Sequence, residues 1–247
     1  MLAQPSLAVL ILLALIFNFL NGFNDASSIV ATIISSRAMP PRLALGIIGV
    51  AEFCGPFLFG VAVAKTIGQD IVAVDSITVM TLIAALVSAI GWNLFAWYFA
   101  IPSSSSHALI GGLVGAVGIS AGFGALQIAG LAKVLLALFV SPVAGLIVGY
   151  LVTQGVFYLA RNASLRINWF FKNAQIVTGM GLALSHGAND SQKSMGIITL
   201  GLLVSGSISR FEVPSWTVLV CAGVIAVGAA SGAWRLVRRL GAGFYKV

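Results

Sequence analysis

Apolar runs of about 20 residues recur along the whole of this 247-residue chain, at 7–34, 43–64, 77–100, 108–123, 128–160, 176–204 and 215–234. A run of that length crosses the hydrocarbon core of a bilayer, about 30 Å, as one helix. The chain is 60% hydrophobic and only 8% charged, where a soluble domain carries about a quarter charged residues. The expectation is an all-α, polytopic protein embedded in a lipid bilayer. The first run lacks a basic leader and a small-residue cleavage site, so it reads as a membrane segment and not as a signal peptide.

The formal charge of +7 would suggest nucleic acid in a soluble protein. Here no basic stripe with interleaved aromatics is present, so no nucleic-acid partner is expected. Basic residues instead gather in three connectors, at Arg37 and Arg42, at 161–172, and at Arg235, Arg238, Arg239 and Lys246. Lys and Arg resist translocation, so these connectors are expected on the cytoplasmic side. The chain then starts outside and crosses alternately, with the loops at 65–75, 120–127 and 205–214 outside. Cys54 and Cys221 lie inside apolar runs and read as small core residues, with no disulfide or zinc site. No phosphate-cradling Gly-x4-Gly-Lys-Ser/Thr loop is present. No residue set suits covalent catalysis, so an enzyme is not expected.

One polar phrase is written twice inside this apolar sequence. Gly22-Phe23-Asn24-Asp25-Ala26-Ser27 and Gly187-Ala188-Asn189-Asp190-Ser191-Gln192 each place Asn-Asp after Gly-x. A carboxylate inside a bilayer is costly and is usually kept for ions or substrates. By the parity of crossings the two copies run in opposite directions. The chain therefore reads as an inverted repeat, 1–160 and 161–247, the transporter architecture that holds its cargo near the midplane. Each motif-bearing run is close to 28 residues, about 42 Å as helix, and Gly22 and Gly187 weaken the helix where the polar residues begin. Broken helices are expected there; tilted, unbroken ones are the alternative.

Asp25 and Asp190, with the carbonyl oxygens of Asn24 and Asn189, offer hard oxygen ligands for Na⁺, or accept H⁺. Pro102-Ser103-Ser104-Ser105-Ser106-His107 is the third unusual phrase. Pro suits a first helical turn and Ser an N-cap, so a helix starting here offers free N–H groups and hydroxyls to an anion. Glu52, deep in the second run, reads either as a proton relay or as a partner of Lys193 or Arg42. Lys193 suits an anion or Asp190. His107 and His186 read as structural hydrogen-bonders, because no His/Cys/carboxylate cluster has ligand spacing.

Three phrases together resemble the inorganic phosphate transporter family of the Pit/PiT type. They are residues 19–27, residues 102–111, and Ser185-His186-Gly187-Ala188-Asn189-Asp190-Ser191-Gln192-Lys193. Arg37-Ala38-Met39 and Trp92-Asn93-Leu94 are also similar to that family. The resemblance implies symport of inorganic phosphate with Na⁺ or H⁺ by alternating access, with no other cofactor, in a bacterial-type inner membrane. It implies that Ser103, Ser104, Ser105, Ser106, Asn24, Asn189, Gln192 and Lys193 line the phosphate site. A carrier for sulfate or another oxyanion, or a channel-like or non-transporting subunit, are the rival readings, and homo-oligomerisation is left open. The family's second repeat carries its own Ser/Thr-rich phrase. The offset of the two motifs (190 − 25 = 165) puts it near 102 + 165 = 267, beyond Val247, so the chain reads as a fragment or a truncated member.

Overall fold

The computed structural model describes residues 4–99, 101, 103–164 and 166–232. The third basic connector, Pro102 and Trp234 lie outside them. The helices are α1 (Pro5–Ser35), α2 (Pro41–Phe59), a short α3 (Ala62–Lys65), α4 (Val79–Tyr98), α5 (Ser105–Ser120), α6 (Ile128–Ala160), α7 (Ile167–Val204) and α8 (Ser215–Gly232). Local chemistry sets their ends. Pro occupies the first turn of α1 and α2, where no intrahelical N–H is needed. Thr78 and Thr81 cap each other at the start of α4. Gly206, at φ 73°, turns the chain after α7.

Among the described residues five helices, α1, α2, α4, α6 and α8, are long and apolar enough to cross a bilayer. The other two expected segments differ for physical reasons. α7 is 38 residues long, but His186, Asn189, Asp190, Gln192 and Lys193 make its middle polar. α5 has 16 residues, about 24 Å, and falls short of the core thickness. It folds back along α4, with Thr81 Oγ1 donating to Ser120 Oγ at 3.1 Å, so the Ser-rich phrase is the tip of a helical hairpin.

The three loops expected on one side do meet at one end. Val72 and Leu126 form a bridge, Ala73 N donates to Ala125 O at 3.0 Å, and Phe211 packs over Gly68. Along α6 only Gly130 is buried, so this apolar helix turns its surface outward, as a lipid-facing segment does.

The expected breaks at Gly22 and Gly187 are corrected: α1 and α7 run through them. These glycines serve close approach instead. A Cβ on Gly22 would strike the carbonyl of Ile225 in α8, and one on Gly187 would strike the backbone of Glu52 in α2. The break falls in the second run, where α2 stops at Phe59 and Gly60 takes φ 72°. The chain resumes as α3 and a π-helical turn, Thr66–Asp70, so the 43–64 run is not one helix.

The two halves pack by the same contacts. Gly55 of α2 sits on Leu184 O and Ala188 N of α7, and Gly228 of α8 sits on Phe19 O and Phe23 N of α1. Partners on α1 and α7 differ by 165 positions (184 − 19), and partners on α2 and α8 by 173 (228 − 55; 225 − 52). α1 and α7 lie antiparallel, with Gly201 against Leu10 and Gly179 against Ile33. The polar phrases are thereby brought together where the helices cross. Small residues let backbones approach closely in the absence of a hydrophobic drive between membrane helices.

Candidate functional site

His186 is the hub of the site. From α7 its Nδ1 lies 2.7 Å from Glu52 Oε1 of α2, and its Nε2 lies 3.3 Å from Asp25 Oδ2 of α1 and 3.7 Å from Asp190 Oδ2. Ligand atoms of Asp25, His186 and Asp190 all lie within 4.8 Å of one another, a grouping able to hold a cation. Two carboxylates 165 residues apart in sequence thus share one site. Glu52 is wholly buried, and one of its oxygens, Oε2, has no hydrogen-bond partner among the described residues.

Lys193 supplies the fixed positive charge. Its Nζ lies 2.8 Å from Asp190 Oδ2 and donates to Ser105 Oγ at 2.9 Å and Ser106 Oγ at 3.0 Å. The hairpin tip therefore docks on α7 through the Asp190–Lys193 pair, and Ser105 Oγ also donates to Asp190 Oδ2 at 3.3 Å. A buried charge is tolerated only when paired and hydrogen-bonded, and Lys193 is 2% exposed.

The four serines divide their roles. Ser103 Oγ accepts from Trp92 Nε1 at 2.8 Å, and Ser104 caps α5 by accepting from His107 N at 3.4 Å. Only Ser105 and Ser106 reach the charged pair. Asn189 Nδ2 donates to Asp190 Oδ1 at 3.0 Å. Asn24 lies half-buried beside Asp25. Gln192 faces the break after Gly60, where its Oε1 accepts from Val63 N at 2.9 Å and Ala64 N at 3.4 Å, serving the free N–H groups of α3. A cavity of about 470 Å³ opens beside these residues. Its lining is mostly apolar, and Thr66, Ser106, Lys133, Ser141, Asn189 and Lys193 are its polar residues.

Two readings of the sequence change here. Glu52 pairs with His186, not with Lys193 or Arg42. His186 stands among three carboxylates, so a His/carboxylate cluster exists in space although no ligand spacing marks it in the sequence. No local spacing announces the cluster, since its members come from α1, α2 and α7. Asn21, whose amide is buried with neither polar atom paired among the described residues, occupies the place on α1 that His186 holds on α7 (186 − 165).

Fold and site together define a polytopic helical membrane protein, with a cluster of acidic and basic side chains where two antiparallel helices cross. The chain matches the phosphate transporter family over residues 21–169 and 160–247, and it belongs to that family. It is not an enzyme. It is 38% identical to a probable low-affinity inorganic phosphate transporter of Bacillus subtilis, over 97% of this chain and 73% of that protein. A protein of the same description from Rhizobium meliloti is 41% identical over 100% of this chain and 74% of its own length. Among solved structures, a sodium-dependent phosphate transporter superposes with a TM-score of 0.79 at 20% identity, covering 96% of this chain and 78% of that one. That likeness establishes the fold.

Proposed function

We propose that this protein carries inorganic phosphate across a bacterial-type cell membrane, in symport with Na⁺ or H⁺, by alternating access. The observation that carries the reading is the convergence of Ser105, Ser106 and Lys193 with Asp190, His186 and Asp25 at one interior point. Phosphate enters the cavity beside them and takes the hydroxyls of Ser105 and Ser106, the start of α5 and Asn189, with the Lys193 ammonium as a neighbouring positive charge. A helix start favours an anion through its free N–H groups and dipole.

Charge explains the coupling. Three acidic side chains, Asp25, Glu52 and Asp190, face two basic ones, Lys193 and His186, so the site is short of basic groups. A phosphate anion entering a low-dielectric interior adds to that deficit. A cation at Asp25 offsets it, so the two cargoes enter together. Residues 1–160 and 161–247 act as opposed repeats, and their relative movement exposes the site in turn. The N-terminus lies outside by the distribution of basic loops.

Radiolabelled phosphate uptake into proteoliposomes, driven separately by a Na⁺ and a pH gradient, tests this. Accumulation that follows one of the gradients is expected. Phosphate flux indifferent to both, or no flux, rejects the reading.

A further inference from the structure

The repeat is faithful in its backbone contacts and unequal in its charges. Lys193 on α7 corresponds to Ser28 on α1 (193 − 165), whose hydroxyl merely donates to the Asp25 carbonyl of its own helix at 2.7 Å. Glu52 corresponds to Ile225 (52 + 173). The two aspartates are therefore not equivalent: the Asp190 side chain is 8% exposed and the Asp25 side chain 44%.

An ammonium has three protons to donate. Those of Lys193 are met by three oxygens, from Asp190, Ser105 and Ser106, at 2.8, 2.9 and 3.0 Å. One carboxylate and two hydroxyls closed around a buried positive point is the environment a free monovalent cation would need beside Asp190. We propose that Lys193 is a tethered counter-cation that fills this place, so that no free coupling cation binds at Asp190 and the exchangeable one is left to Asp25. The group is covalently held, loses no translational freedom on pairing, and cannot leave with the cargo. It therefore sets how many free cations one transport cycle takes up, one fewer than a site with two open aspartates. The coupling consequence rests on the symport reading above; the occupancy at Asp190 does not.

Thermal unfolding of the purified full chain in detergent, without phosphate, reads the occupancy directly. Unfolding is compared in NaCl and in choline chloride at equal ionic strength, for the wild type, K193A and D190N/K193M. In choline chloride K193A is expected to melt about 6 °C or more below the wild type, because an uncompensated carboxylate is left buried. Added Na⁺ should restore much of that loss saturably, a response larger than the wild type's. The D190N/K193M protein should respond to Na⁺ as the wild type does. A K193A response no larger than the wild type's overturns the proposal. Where K193A gives no folded protein, the double variant decides alone: an unchanged Na⁺ response supports the tethered cation, and a lost or reduced one overturns it. Failure of phosphate uptake by the wild type would sink the transport reading and leave these melts interpretable.

Discussion

His186 and Glu52, 134 residues apart, meet at 2.7 Å across the α7–α2 contact, at the level where Gly187 lets the two backbones touch. The ring's other nitrogen reaches Asp25, so one imidazole ties three helices. Glu52→Ala and His186→Ala are each expected to cut phosphate uptake at least about tenfold, because each removes the 2.7 Å contact between Glu52 Oε1 and His186 Nδ1 in the interior. The double variant should be little worse than the poorer single one, a coupling of about 1–3 kcal/mol in a double-mutant cycle. Losses that multiply would separate the two residues.

Four of the close-approach glycines form two equivalent pairs, so damage should be symmetrical. Gly22→Val and Gly187→Val, and likewise Gly55→Val and Gly228→Val, force side chains onto facing backbone. All four should abolish the monodisperse peak in size-exclusion chromatography. Gly145→Ala and Gly149→Ala, on α6 with open space around them, should elute as the wild type. Unequal tolerance within a pair would contradict the shared packing.

Within the hairpin tip, Ser105→Ala and Ser106→Ala should each raise the phosphate KM roughly tenfold, the effect of one hydrogen bond to a charged group. Ser104→Ala should cost about 1 kcal/mol of stability through the lost cap and leave KM within about twofold. Uptake kinetics with parallel melts separate the two kinds of serine.

Gln192 lies in the repeated phrase, yet its Oε1 is engaged by Val63 N and Ala64 N. Gln192→Leu should lower stability by about 1–3 kcal/mol, the cost of unpaired buried donors, while phosphate KM in the folded fraction stays within about threefold. A KM effect without a stability effect would place this side chain on the substrate instead.

The pairing of the two Asn-Asp phrases was legible because a repeat, a parity of crossings and an intramembrane charge all point to one site. The helix start at Ser105 was legible from the preceding proline and serines. What the chain hid is of two kinds. A glycine beside polar residues reads alike as a helix break and as a point of close approach, and only tertiary contact separates Gly60 from Gly22 and Gly187. Partners such as Glu52 and His186, or Gln192 and Val63, are more than 125 residues apart. No periodicity along one helix links such pairs.

The central claim is that Asp25 and Asp190, from oppositely directed helices, meet at a single site. Asp25→Cys/Asp190→Cys, in a Cys54→Ala/Cys221→Ala background, would set two thiolates and His186 around it, a soft donor set for Cd²⁺. Equilibrium Cd²⁺ binding to the purified protein should show one tight site per chain, weakened at least about a hundredfold in either single cysteine variant. Equal binding by the double and single variants would mean that the two positions do not meet, and would contradict the account.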